Sequence, residues 1–191
     1  MSLLEAQLEA RNLLQLQPLF LHSKTTGAAE QSEVVEIAIL NTAGMPLADE
    51  LVKPKRHIRP TASEEHGITD EMVETAPKWS EILPTVEELL IGKKVCIYDP
   101  ASEIVALRNS YQNYHHRYVL DDGNFISLMD IFSRYRNERD ARSKTLCTYS
   151  LEDAARFLGI DIEIIGYRRA REDAWLMRAI LVTIAGWKIY Y

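Results

Sequence analysis

The sequence predicts an α/β fold: a mixed five-stranded sheet flanked by helices, with an N-terminal helical extension. Three observations carry this prediction. Apolar, β-branched runs such as Val34–Leu40 read as strands. Longer segments with apolar residues every three or four positions read as helices. Their order, β-β-β-α-β-α-(β)-α-α, implies a mixed sheet with helices against it.

Residues 3–16 read as an amphipathic helix, with Leu3, Leu4, Leu8 and Leu14 near helical spacing and Glu5, Glu9 and Arg11 between them. Residues 1–17 form this extension and 18–191 the main domain. Such a stripe packs on its own domain or docks on a protein partner, a second copy included. Pro18 separates it from a strand at Leu19–Ser23. A polar turn through Thr25, Thr26 and Gly27 to Ser32 leads to the buried strand Val34–Leu40. Asn41–Pro46 is a turn and Leu47–Lys53 a third strand, so the chain opens as an antiparallel meander. After Pro54 and Pro60, Thr69 or Asp70 caps a short helix. Ser80 caps a longer one that buries Ile82, Leu83, Val86, Leu89 and Leu90 and ends at Gly92. Lys94–Tyr98 is a short strand, and Ala101–Asn113 a helix with Ile104, Val105 and Leu107 inward. Phe125–Phe132 fits a strand or a helix start, and 134–144 is a basic, polar helix face or loop. Ser150 caps a helix over Leu151–Leu158, and a last helix spans about Arg171–Ala185.

No run approaches the ~18–20 apolar residues of a membrane span, and the acidic start lacks the basic region of a signal peptide. Cys96 and Cys147 share no metal-ligand spacing and read as two buried thiols, which suits a reducing cytoplasm. A net charge of −6 weighs against tight nonspecific nucleic-acid binding but leaves room for a local basic groove.

Four segments, in order, carry a resemblance: Phe20-Leu21-His22-Ser23-Lys24-Thr25-Thr26-Gly27; Val34–Leu40 with its Glu-Ile-Ala centre; His66-Gly67-Ile68-Thr69-Asp70-Glu71-Met72 with Ala76-Pro77; and Tyr167-Arg168-Arg169-Ala170-Arg171-Glu172-Asp173-Ala174. Tyr98-Asp99-Pro100-Ala101-Ser102-Glu103 stands between them, and Ser150–Ile160 precedes the last. Together they resemble the DnaQ-like (DEDDh) 3′–5′ exonucleases of the RNase H-like superfamily, typified by the proofreading epsilon subunit of bacterial DNA polymerase III. The resemblance spans residues 18–185 and implies an RNase H-like fold.

The family cleaves phosphodiesters with two divalent metals, Mg²⁺ or Mn²⁺, held by four carboxylates, with a histidine as general base. Metals about 4 Å apart activate water and stabilise the leaving oxygen. Two acids at i and i+2 of the first strand reach one site because alternate strand residues share a face. At the family's five catalytic positions this chain carries His22, Lys24, Glu103, Arg168 and Asp173. Asp173 matches by identity and Glu103 by charge; Arg168 cannot act as a base. With His22 neutral, Lys24 and Arg168 cancel Glu103 and Asp173 without any metal. The expectation is therefore a degenerate, self-neutralised site in which Lys24 bridges Glu103 and Asp173, no Mg²⁺ or Mn²⁺ is bound, and no cofactor is used. His22 also reads as an ordinary strand histidine, or as a ligand with Glu103 and Asp173 for a single transition metal. His115-His116 has no partner at ligand spacing.

Two functions follow from different classes. One is a binding module for single-stranded nucleic acid or a nucleotide. Thr25, Thr26, Gly27 and His66 would line its groove, with Lys24, Arg168, Arg169 and Arg171 meeting phosphates and segments 53–59 and 134–144 extending the basic surface. The other is an interaction subunit that docks through the N-terminal helix or the tail residues Trp187, Tyr190 and Tyr191. An active 3′–5′ exonuclease acting on DNA or RNA ends with an atypical site is the alternative to both.

Overall fold

The computed structural model describes residues 3–27, 30–165 and 168–188. Tyr167, Tyr190 and Tyr191, named above, lie outside the described residues. Five strands, β1 (Leu19–Thr25), β2 (Val34–Leu40), β3 (Pro46–Leu51), β4 (Val95–Ile97) and β5 (Phe125–Ser127), form one sheet in the order β3-β2-β1-β4-β5. β1, β2 and β3 pair antiparallel, whereas β4 runs parallel to β1 and β5 parallel to β4. This is the expected mixed sheet. The helices are α1 (Leu3–Gln15), α2 (Pro60–His66), α3 (Asp70–Val73), α4 (Trp79–Leu90), α5 (Pro100–Asn113), α6 (Leu128–Arg136), α7 (Leu151–Phe157), α8 (Ile162–Ile165) and α9 (Ala170–Ile184). Among the described residues no helix is long and apolar enough to cross a membrane.

The period-two alternation of strand side chains divides the core. On one face Phe20, Ala38 and Leu40 pack with Met177, Ile180 and Leu181 of α9. On the other, Leu21, Ile37 and Ile39 pack with Trp79, Leu83 and Tyr111. Covered on both faces, β2 is buried throughout, which explains its unbroken apolar run around Glu36. A smaller cluster of Val35, Ile58, Ala62, Ile68 and Val73 holds α2, α3 and the loop before them against the start of β2.

Several elements depart from the sequence reading. In α1 the buried residues are Ala6, Ala10, Leu13 and Leu14, while Leu3, Leu4 and Leu8 are exposed. Alanines allow close backbone approach, and two polar ties set the helix rotation: Arg134 with Glu9 at 2.6 Å, and Arg11 Nε donating to the Ala185 carbonyl at 2.7 Å. α4 starts at Trp79, not after Ser80. Trp79 is buried, and the Glu81 carboxylate accepts from the Lys78 N–H at 2.6 Å. The Phe125–Phe132 run holds both a strand and a helix, because the Ser127 hydroxyl accepts from the Asp130 N–H and starts α6. Val105 faces outward: α5 turns Glu103, Leu107 and Ser110 to the sheet, and Ser110 Oγ accepts from the Val34 N–H at 3.0 Å. The third strand ends at Leu51, and Lys53 makes only an isolated bridge to Lys78. Cys96 is buried, but Cys147 is only half-buried.

Candidate functional site

Four elements bring the chemistry-bearing residues to one end of the sheet. His22 and Lys24 share a face of β1, two residues apart. Pro100 and the Asp99 carboxylate, which accepts from the Ala101 N–H at 3.0 Å, start α5 straight after β4 and leave Glu103 buried in its first turn. Asp173 is buried in the first turn of α9. That helix is anchored by Glu36, a buried acid in the middle of β2. One Glu36 oxygen accepts from the Ala170 N–H at 2.7 Å, and the other pairs with the Arg169 guanidinium. Glu36 thus satisfies an orphan N–H at the helix start, and its own buried charge is paired.

The Lys24 ammonium lies 2.5 Å from Asp173 Oδ2. The His22 ring stands between the acids, with Nδ1 3.4 Å from Glu103 Oε2 and Nε2 3.3 Å from Asp173 Oδ2. The bridging place expected of Lys24 therefore belongs to His22, and Lys24 serves Asp173. The environment splits the two carboxyls. Burial pushes Glu103 up, against the pull of His22, Ser23 and Lys24. Burial also acts on Asp173, but His22 and Lys24 outweigh it and hold the carboxyl at about 2. Asp173 is thus the anion paired with Lys24, while Glu103 is held toward its neutral form.

A pair of divalent cations needs several ionised oxygen donors facing a common point. This donor set does not fit. One of the two β1 positions presents an imidazole and the other an ammonium, which already occupies an Asp173 oxygen and would repel a cation. For a single transition metal, one ring nitrogen would have to join the carboxylates; instead each ring nitrogen faces a different acid. Among the described residues there is no group of three His, Cys, Asp or Glu side chains that could hold a metal ion.

The other expected site residues take varied places. Arg168 is exposed, with φ +100°, and is not among the described residues that line the cleft over this site. Arg169 is committed to Glu36, and Arg171 to Asp49 and Glu172. Thr26 is buried and Gly27 has φ +148°; the Thr26 N–H and hydroxyl bond the Glu33 backbone and close the β1–β2 loop. Thr25 sends its hydroxyl to the Gly27 carbonyl. His66 is buried: Nδ1 accepts from the Ile68 N–H at 3.1 Å, so Nε2 carries the proton and donates to the Thr25 carbonyl at 3.1 Å. That ring ties the end of α2 to the end of β1, and burial holds its basicity below that of a free histidine.

The cleft has a volume of about 550 Å³. Its ionisable lining comprises Glu30, Glu65, Asp99, Glu103, Glu152 and Asp173 against Lys24, with His22 and His66. The sequence reading missed Glu30, Glu65 and Glu152, which converge from separate elements and share no spacing. It also missed the role of Glu36, although a lone acid inside an apolar strand is itself a signal, since a buried charge requires a partner.

The model of the RNase T exonuclease family matches residues 24–174. An uncharacterized exonuclease, CP81, of Escherichia phage 186 is 31% identical over 181 residues, 92% of each chain. E. coli Exonuclease I, solved with a dA16 oligonucleotide, superposes with a TM-score of 0.64 at 18% identity over 86% of this chain, which spans only 40% of that protein. The nuclease domain of 3′hExo, a DEDDh family member solved with rAMP, gives 0.66 at 16% identity over 86% of this chain and 88% of that one. At these identities the structural likenesses speak for the fold, which is RNase H-like. The family match and the phage relative speak for descent: this chain belongs to the DnaQ-like exonuclease family.

Proposed function

We propose that this chain is an exonuclease-family domain that does not cleave by the two-metal route and instead holds single-stranded nucleic acid. The observation that carries the first half is the Lys24–Asp173 pair, an ammonium against the one acid that keeps its family identity. The splitting of Glu103 from Asp173 supports it, because a carboxyl held toward its neutral form is a poor cation ligand. The second half is supported by the relatives solved with an oligonucleotide and with a nucleotide. The test is a nuclease assay on a 3′-labelled single strand with titrated Mn²⁺, run on the wild type, Asp173→Ala, and a His22→Asp/Lys24→Glu variant. No release by the wild type, with salt-sensitive binding of the strand, is expected. Mn²⁺-dependent release that Asp173→Ala abolishes would overturn the reading in favour of an active exonuclease, the activity in the phage relative's name.

A second reading, an interaction subunit, is favoured by Leu3, Leu4 and Leu8, which stand exposed on α1. Light scattering on the wild type and Leu4→Glu/Leu8→Glu tests it: a dimer that the variant dissolves supports self-association, and a monomer in both counts against it.

A further inference from the structure

We infer that the loop before α2 builds a phosphate-binding subsite from Arg56 and Arg59, with His57 beside them, next to the acidic cleft and continuous with it. The inference rests on the nucleic-acid reading above and says where the strand is held. A phosphodiester in the cleft meets Glu30, Glu65, Asp99, Glu152 and Asp173 against one ammonium, a field that disfavours an anion there. Its cationic partners must come from the rim, and several candidate rim cations are already engaged. Arg169 holds Glu36, Arg171 holds Asp49 and Glu172, Arg134 holds Glu9, and Arg136 holds Glu138. Lys53 and Lys55 donate to the carbonyls of Glu74 and Asn113.

Arg59 differs. Its exposed guanidinium makes no side-chain hydrogen bond or ion pair among the described residues, and its stem lies on Gly27 so closely that a Cβ there would sit 2.7 Å from Arg59 Cδ. Arg56 and His57 line the same hollow of about 650 Å³, whose wall residues Gly27, Glu30 and Ser32 also line the cleft. A strand that skirts the acidic cleft and crosses Gly27 therefore arrives at this group.

The loop is held in shape by its backbone. The Lys55 N–H donates to buried Glu33 at 3.0 Å, the Ile58 N–H to Asp70 at 2.9 Å, and the Arg59 N–H to the Thr26 carbonyl at 3.0 Å. Asp70 also takes His57 Nδ1 at 2.8 Å, so the ring's orientation is set. Arg56 leans on Glu33 at 3.6 Å and on Gln31 at 2.6 Å, in an exposed position where a phosphate can compete for it. Two exposed guanidiniums on one short loop whose backbone is tied in three places are a preorganised receptor for phosphate oxygens.

The test is fluorescence anisotropy of a labelled oligothymidylate from 25 to 200 mM salt, for the wild type, Arg56→Ala/Arg59→Ala and, as a control, Lys93→Ala, an exposed lysine before β4, at the opposite end of that strand from the site. Unchanged urea unfolding checks the folding of each variant. The wild type is expected to bind with affinity falling as salt rises. The double variant should bind about tenfold or more weakly, with a salt slope shallower by about 1.4 for two lost phosphate contacts on a single strand. Lys93→Ala should match the wild type. Equal binding by the wild type and the double variant would overturn the subsite and leave the nucleic-acid reading intact. No wild-type binding at 25 mM salt would overturn both. Displacement of the strand by millimolar inorganic phosphate at constant ionic strength, weaker for the double variant, would support the subsite.

Discussion

Replacing Lys24 by methionine tests the site most directly. Both partners of the Lys24–Asp173 pair are largely buried, with side-chain exposures of 12% and 7%. The variant keeps the stem volume and removes the ammonium, so Asp173 keeps only His22. The fall of the Asp173 carboxyl from its ordinary 3.8 to about 2 corresponds to about 2–3 kcal/mol at ~1.36 kcal/mol per pH unit. Part of that belongs to His22. Against this, breaking a buried pair by removing one partner costs about 3–5 kcal/mol, because a charge is left without compensation. The two considerations meet at a loss of about 2–3 kcal/mol, or a Tm drop of about 4–12 °C for a chain of this size. Urea unfolding at pH 7 measures it. Adding Asp173→Asn to the methionine variant should restore at least half of the loss, since the stranded carboxylate is gone. The pH dependence gives a second readout. The folded state holds the Asp173 proton less tightly than the unfolded chain, so this contribution is full above pH 3.8 and is lost as pH falls toward 2. The methionine variant should lose less stability across that window than the wild type. A variant as stable as the wild type, or a double variant that loses the sum of both single changes, would refute the pairing argument.

Other outcomes follow from the same geometry. Glu36→Ala should cost about 1–3 kcal/mol in urea unfolding, because it leaves the buried Ala170 N–H without its acceptor, while the half-exposed Arg169 guanidinium turns to water. Gly27→Ala should cost about 1–3 kcal/mol, since φ is +148° and the new methyl would press on Arg59. His66 is buried with its ring nitrogens committed, so the folded state resists a proton that the unfolded chain accepts near pH 6.5. Wild-type stability should therefore fall as pH drops below 6.5, and His66→Gln should flatten that slope while lowering stability at pH 7. The His22→Asp/Lys24→Glu variant should take up Mn²⁺ more strongly than the wild type by isothermal titration, because it replaces an imidazole and an ammonium with two oxygen donors.

The local pattern of the chain was enough to read β1 to β4 and most helices. β2 announces itself as a β-branched run, α7 by the Ser150 cap, and α9 by its apolar spacing. That His22 and Lys24 reach one site was legible too, since residues two apart on a strand share a face whatever surrounds them. The resemblance already set Lys24 near Asp173, 149 residues away, but tertiary structure decided that His22 stands between the two acids and that Arg169 meets Glu36, 133 residues apart. Whether a cation is free for a ligand or spent on a buried acid depends on such pairings, and nothing local encodes them. The same holds for α1, where Ala6 and Ala10 are buried and the more apolar Leu4 and Leu8 are not. Spacing says that a helix has a face, but close packing against α6 and α9 chooses which face is covered, because the fit of shapes across two chain segments is a property of neither one.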